Sequence, residues 1–349
     1  MSPTRPEVIL GVDTHADTHT AAAVSPLGEV VEVAEFPATA TGYRQLLRWA
    51  RRRGDVHRAG VEGTGAYGAG LARHLADAGV AVLEVNRPNR QQRRRHGKSD
   101  PADAVSAARA VLSGEADATP KDTSGLVEAV RMLHLTRRSA VKAKTQAGNQ
   151  IKDLIVTAPE PIRTELRSLT TTQRVRKAAK WRPGTIDGPA AASRHAIRIL
   201  ARRWVALHDE IKATEAELWP LLQQLAPTLL AEPGVGLDVA AKLIIAAGQN
   251  PDRLRSEASF AALCGTSPVD ASSGKHSRHR LNRGGNRQAN NALHTVVLYR
   301  TRRCPETLEY IERRRAENKT DREIRRCLKR ALARRFHHIL INDLAAPLT

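Results

Sequence analysis

Val8-Ile9-Leu10-Gly11-Val12-Asp13 (VILGVD) is a short apolar run that ends in a carboxylate, and it reads as a buried β-strand. Residues 18–25 read as a second strand and Pro26-Leu27-Gly28 as a turn. Residues 29–36 (EVVEVAEF) alternate apolar and acidic, as a half-exposed strand does. Thr41-Gly42 opens a helix with Leu46, Leu47 and Ala50 on one face. A short strand at 59–62, a helix at 65–78 and a strand at 80–85 follow. Three consecutive strands and then alternating helices and strands predict an α/β domain with a mixed sheet.

From about Leu126 the period changes. Leu126, Val130, Leu133, Ile151, Leu154 and Ile155 recur at helical spacing. After a Pro/Gly break at 183–189, Ile197, Leu200, Trp204, Leu207 and Ile211 resume it, and Leu218, Leu221, Leu222 and Leu225 extend it. This middle region predicts a helical hairpin or coiled coil, suited to a spacer or dimerisation arm. At Pro233 the text becomes PGVGLDVAAKLIIAAG. Near the end, Ile324, Leu328, Leu332, Phe336 and Ile339 form one apolar helix stripe. Arg325, Arg326, Lys329, Arg330, Arg334 and Arg335 occupy the rest, which fits either a solvated face or nucleic-acid contact.

The chain of 349 residues suits two or three domains, and its 56 Lys plus Arg against 36 Asp plus Glu leave a net charge of +20. Arg greatly outnumbers Lys, and guanidinium suits bidentate phosphate contacts. A GC-rich genome would explain Arg over Lys but not the excess itself. A pI near 10.8 is the electrostatic footprint of a nucleic-acid binder. Aromatic residues make up only 3%, so backbone contacts rather than base stacking must carry affinity. Cys264, Cys304 and Cys327 fit no zinc spacing and no disulfide framework, which implies a reducing cytoplasm. The start is polar through Arg5 and then strand-like, not a signal peptide, and no apolar run approaches membrane-spanning length.

Four carboxylates are placed to converge. Asp13 ends the first strand, Glu62 ends the fourth, and Asp100 and Asp103 sit in KSDPADA. Pro101 suits the first turn of a helix with Asp100 at its N-cap, and a spacing of three puts both aspartates on one side. Any one of these could merely end a strand or cap a helix. Together they would repel strongly unless a divalent cation neutralised them, and hard oxygen ligands select Mg2+ or Mn2+. His15 and His19, close by, read as surface polar residues rather than ligands, because Mg2+ prefers oxygen.

Residues 87–98 (RPNRQQRRRHGK) abut this cluster, and Arg90, Arg93, Arg94, Arg95 and Lys98 would guide a phosphate backbone into it. A solvated loop is the plainer alternative. Gly234 and Gly236 form a Gly-containing turn between two helices, like a helix-hairpin-helix element, whose backbone N–H groups suit phosphate or whose glycines serve packing alone. In residues 260–293, Ser272-Ser273-Gly274 is flanked by Lys275, Arg278, Arg280 and Arg283. A serine hydroxyl needs activation to act as a nucleophile, and nearby cations could bind the scissile phosphate. On composition alone such a turn is most often only a turn. Gly284-Gly285-Asn286 starts a helix carrying Arg287, Asn290 and Asn291.

These segments together carry a resemblance. GVDTH (11–15), GVEGTGAYG (60–68) and KSDPADA (98–104) resemble the RuvC-like domain of the DEDD insertion-sequence transposases, also called bridge recombinases. EPGVG (232–236), FAALCGTSPVDASSGK (260–275) and HRLNRGGNRQANNAL (279–293) resemble that family's C-terminal transposase domain. The likeness covers roughly the first 120 residues and about 230 to 300, in the family's order, with no departure at the four carboxylates. It implies an RNase H/RuvC-like mixed-sheet domain at 1–120, a helical or coiled-coil oligomerisation region at 121–226 and a mostly helical serine-bearing domain at 227–349. It further implies that Asp13, Glu62, Asp100 and Asp103 bind metal and that Ser272 or Ser273 forms a covalent phosphoserine link to DNA. Ser273, beside Gly274, is slightly favoured. Family members act as homo-oligomers, with acidic and serine sites brought together across protomers, and are guided by a structured noncoding RNA.

The expected function is therefore strand cleavage and exchange between an insertion element and its target. The alternatives are a RuvC-like metal-dependent junction endonuclease that uses water, and a non-enzymatic nucleic-acid-binding protein. Basicity supports all three. Carboxylates on a phosphate path count against binding alone, since without metal they oppose it.

Overall fold

The computed structural model describes residues 5–85, 99–123, 125–182, 184–270, 272, 279–280, 282 and 284–345. The chain divides into two compact units, one of Met1–Gly125 with Gly248–Arg255, the other of Leu126–Ala247 with Ser256–Thr349.

The first unit is built on β1 (Glu7–Thr14), β2 (Thr18–Val24), β3 (Val30–Pro37), β4 (Asp55–Glu62) and β5 (Ala81–Val85) in the order β3-β2-β1-β4-β5. β2 is antiparallel to β1 and β3, whereas β4 is parallel to β1 and β5. The sheet is thus mixed, as expected of an RNase H-like domain. Successive side chains alternate between faces. Val8, Leu10 and Val12 of β1 pack with Leu46 and Leu47 of α1 (Ala40–Arg53) and Leu71 and Leu75 of α2 (Ala69–Asp77). Ile9 faces the other way, against Ala104, Ala107, Ala108 and Val111 of α3 (Asp100–Leu112).

α3 lies against the sheet more closely than a side chain allows. A Cβ on Gly11 would stand 2.1 Å from the Ala104 carbonyl oxygen, and one on Gly60 would stand 2.6 Å from that of Ala107. Gly11 and Gly60 are register partners on the paired strands β1 and β4, so together they form one shallow trough. The alanine face of α3 fills it. Segment Gly248–Arg255 is tied into the same unit, with Asn250 accepting from the Asp122 N–H and donating to the Pro120 carbonyl, both at 2.9 Å.

Among its described residues the second unit is helical apart from a two-stranded ribbon. α4 (Leu126–Thr157) and α7 (Pro189–Leu225) pack on each other as the expected hairpin, and α5 (Glu160–Leu166) and α6 (Thr171–Ala179) close it around Ile151, Ile162, Leu166, Val175 and Ile197. α8 (Pro227–Leu230) and α9 (Leu237–Ala247) lead to α10 (Glu257–Leu263), β6 (Val269–Asp270), β7 (His279–Arg280), α11 (Arg287–Arg303), α12 (Pro305–Ala316) and α13 (Asp321–Ala345). Phe260 of α10 and Phe336 of α13 are fully buried. On α13, Leu340 rather than Ile339 completes the buried stripe, and Leu328 is only half-buried. Among the described residues no helix is long and apolar enough to cross a membrane.

The trough predicts that Gly11→Ala destabilises the protein by the upper end of the about 1–3 kcal/mol usual for overpacking, because the obstruction is backbone and cannot rotate away. Gly65→Ala, where a Cβ meets nothing within 4 Å, should stay within about 0.5 kcal/mol of wild type. Urea unfolding of the two variants checks this, and equal midpoints would refute the close contact.

Candidate functional site

The strand ends place the first two carboxylates. Since Val12 and Val61 are paired and face α1 and α2, the next residues, Asp13 and Glu62, turn to the α3 face together. The Thr14 hydroxyl donates to the Glu62 backbone carbonyl at 2.9 Å and ties the two strand ends. α3 supplies the others. Its N-cap is Ser99, not Asp100: Ser99 is extended, with φ −142° and ψ 137°, and its hydroxyl accepts the Ala102 N–H at 3.4 Å. With the serine capping, Asp100 enters the first turn with Pro101, and its carboxylate is released to face the strand end.

There it meets a histidine that sequence reasoning assigned to the surface. His15 Nε2 lies 3.2 Å from Asp13 Oδ2 and 3.4 Å from Asp100 Oδ1. One ligand atom from each of Asp13, His15 and Asp100 falls within 4.8 Å of the others, a spacing that could hold a metal ion. His15 is half-exposed, while Asp13 is buried. Burial pushes the Asp13 carboxyl up; the neighbouring charges of Asp103 and Asp100 raise it further, and His15 opposes them. No periodic signal marks His15 in the sequence, because it lies just past the end of β1 and the turn toward β2 sets its direction. His19 differs from expectation in the other direction. It is fully buried, stacked on Tyr43 at 5.6 Å between ring centroids, and its Nδ1 meets the Thr18 carbonyl at 3.0 Å.

A metal fits this donor set. Three aspartates share one strand-end cluster, at least one of them taken out of water, and the polar neighbour at its Oδ2 is His15 Nε2. Hard divalent cations favour such oxygens, and an added imidazole nitrogen moves the preference from Mg2+ toward Mn2+. The basic run with Arg90, Arg93, Arg94, Arg95 and Lys98 lies outside the described residues.

In the second unit, Gly234 has φ +86°, and a Cβ there would lie 2.8 Å from the Tyr299 ring, so this glycine has a packing role. A Cβ on Gly236 would meet nothing within 4 Å. In the first turn of α9, Asp238 accepts from His134 Nε2 at 3.0 Å, Arg137 at 3.3 Å and Lys242 at 2.6 Å. Burial opposes its ionisation, but the hydrogen bonds from His134 and Lys242 outweigh it and hold the carboxyl far below the usual range.

β6 and β7 pair antiparallel, Val269 with Arg280 and Asp270 with His279, and the serine pair lies between them in sequence. The Ser272 N–H and hydroxyl both donate to Asp270 Oδ1. Ser273, Lys275, Arg278 and Arg283 lie outside the described residues, whereas Arg280 is exposed on β7. The helix expected after Gly285 is present, with Asn286 capping it by accepting the Gln288 and Ala289 N–H groups. Asn290 is a clamp: its amide donates to the Cys264 carbonyl at 2.7 Å, and its oxygen accepts from Lys329 at 3.1 Å.

Asp13 carries a pH signature. Its folded pKa is raised, so ionised Asp13 costs stability above that folded value, and the cost vanishes below the ordinary carboxylate range. Metal-free Asp13→Asn should therefore be more resistant to urea than wild type at neutral pH, with the gain shrinking in acid. A variant equally destabilised at both would contradict the charge cluster. His15→Ala should weaken Mn2+ binding more than Mg2+ binding in calorimetry; equal losses would exclude a nitrogen ligand.

Comparison with known proteins agrees with this layout. A family model described as a transposase, of the DEDD type of IS110 elements, matches residues 10–158. A second, described as the transposase IS116/IS110/IS902 family, matches residues 226–312. A Streptomyces coelicolor protein, named as an uncharacterized 43.6 kDa protein of insertion element IS110, is 34% identical over 125 residues. The matched stretch spans 35% of this chain and 30% of that relative.

Proposed function

Because the chain belongs to the IS110 family of transposases, we propose that it cuts and rejoins DNA at the ends and target of an insertion element, with a serine as nucleophile and a metal-loaded carboxylate site. The observation that carries this reading is the meeting of Asp13 with Asp100, Asp103 and His15 at the sheet edge, inside the region matched by the DEDD model. Asp13, Glu62, Asp100 and Asp103 would hold Mg2+, or Mn2+ with His15. A cation bound there supplies positive charge against the negative charge that develops on the reacting phosphate.

The serine oxygen forms a bond to phosphorus as the bond from phosphorus to the leaving sugar oxygen breaks. The hydroxyl proton departs, and the leaving oxygen takes one up. The protein–DNA ester retains the phosphodiester's energy, so the reverse attack by a sugar hydroxyl rejoins strands without ATP. Ser273 is the favoured nucleophile, because the Ser272 hydroxyl is engaged by Asp270 in a local turn. Arg280, with Lys275, Arg278 and Arg283, holds the scissile phosphate. Arg90, Arg93, Arg94, Arg95 and Lys98 take flanking backbone, and the open turn at Gly236, next to Gly234, offers N–H groups to another phosphate. Guidance by a noncoding RNA and action as a homo-oligomer follow from the family. Cys264, Cys304 and Cys327 are all free, which fits a cytoplasmic protein.

Covalent trapping tests this. Wild type with DNA, element-derived RNA and Mg2+, denatured during reaction, should yield a protein–DNA adduct that Ser273→Ala abolishes and Ser272→Ala reduces only modestly. Loss in Ser272→Ala instead reassigns the nucleophile. Cleavage that needs Asp13 but leaves no adduct would replace the reading with a junction endonuclease; binding with neither would reduce it to a nucleic-acid-binding protein.

A further inference from the structure

The loop after α10, β7, Arg314 of α12 and the facing side of α13 line a half-open pocket of about 710 Å3. That lies within the about 300–1,000 Å3 usual for sites that take a discrete ligand group. Seven of its lining residues are Lys or Arg, and one, Glu323, is acidic. Three of the seven are satisfied within the protein: Arg314 pairs with Glu317, and Arg330 and Arg334 share Glu257. Glu323 faces Lys319 and Arg326 electrostatically, but its carboxylate accepts from the Thr320 N–H at 2.9 Å and hydroxyl at 2.7 Å. Among the described residues, no carboxylate oxygen lies within 4.0 Å of the charged nitrogens of Arg280, Lys319, Arg326 or Lys329.

Lys329 is the most telling of these. It is half-buried, its ammonium donates to Asn290, and its charged neighbour is Arg326. Burial and that like charge both work against keeping the ammonium protonated. A half-buried cation beside another cation is costly, and an anion in the cavity removes the cost. The wall also contains His279 and Arg280, which form the ribbon strand opposite Val269 and Asp270. The cavity therefore adjoins the ribbon that leads into Ser272.

We propose that this cavity is a phosphate seat for the DNA strand presented to the serine segment, with Arg326 and Lys329 of α13, Lys319 and Arg280 holding one or two backbone phosphates. It rests on the reading of the chain as a DNA strand-exchange protein and adds α13 to the surface that does the work. The seat recognises backbone charge, so it positions a strand without reading sequence. Four cations grouped in a concavity fit the phosphodiester chemistry shared by DNA, RNA and free nucleotides. DNA is the occupant here because the ribbon is part of the wall.

The test is fluorescence anisotropy of the full chain with a labelled DNA strand and an RNA strand of the same sequence across a salt series. Arg326→Gln and Lys329→Gln should each weaken DNA binding to a similar degree for unrelated sequences. Each should also flatten the slope of log affinity against log salt by about 0.7–0.9, the loss of one phosphate contact. Arg322→Gln, on the same helix outside the cavity, should leave the slope unchanged. Arg326 is exposed, so its variant keeps the test valid if replacing Lys329 disturbs the clamp at Asn290. An unchanged slope in Arg326→Gln, or an equal change in Arg322→Gln, would overturn the seat. A loss confined to RNA would overturn it too, as would thermal stabilisation by AMP that Lys329→Gln removes while DNA binding persists. If the serine adduct forms normally while the slopes do not move, the seat alone is wrong. If wild type binds no DNA, the seat falls together with the functional reading.

Discussion

The approach of α3 to the trough formed by Gly11 and Gly60 governs where the chemistry of the first unit can stand. The contact is between backbone and backbone: Ala104 and Ala107 present carbonyls where any residue but glycine would place a Cβ. Alanines on the helix and glycines on the strands leave no long side chain to adapt, so the helix has one seat. Its first turn then delivers Asp100 and Asp103 to the strand end that carries Asp13. Ser99 contributes by taking the capping role and leaving Asp100 free to face inward. A packing constraint thus becomes an electrostatic one, because three carboxylates are brought together where burial already disfavours the charge on Asp13. The cluster is unfavourable by itself, which is the property that makes it receptive to a cation.

In the second unit the opposite sign dominates, and internal pairing decides which cations remain for a ligand. Glu232, largely buried, accepts from Arg300 at 2.7 Å and from Arg335 at 2.7 Å. Burial would raise its pKa, yet these two arginines bring it below the ordinary value. Glu257 does the same for Arg330 and Arg334, which hold its carboxyl down at about 2. The basic face of α13 is therefore not uniform. Its Arg330, Arg334 and Arg335 fasten the helix to α10 and to the turn before α9, while Lys329 donates to Asn290 rather than to a carboxylate.

Much of this could be read from the chain before its structure. The apolar run of residues 8–13 and the alternation of residues 29–36 located strands, Pro101 located the start of α3, and Gly285-Asn286 located the start of α11. Strand ends on a parallel pair brought Asp13 and Glu62 to one edge without any knowledge of contacts. What escaped was set by long-range geometry. His15 lies just past β1, where only the turn toward β2 determines whether a side chain meets water or Asp100. Burial of His19 depends on Tyr43 from another element. Whether a basic helix face is solvated or paired depends on Glu232 and Glu257, roughly seventy to a hundred positions away in the chain. Periodicity carries no information at that range. The basic run before Asp100 and Ser273 itself fall outside the described residues.

A cation at the strand-end cluster is what the proposed chemistry of the first unit requires. The most direct measurement is anomalous diffraction at the manganese edge from crystals of the wild-type chain grown with Mn2+. A metal site gives a peak bonded to Asp13 and Asp100, within reach of Asp103 and Glu62, that is absent in Asp13→Asn crystals. Density showing Asp13, His15 and Asp100 paired only with one another at saturating Mn2+ would contradict it.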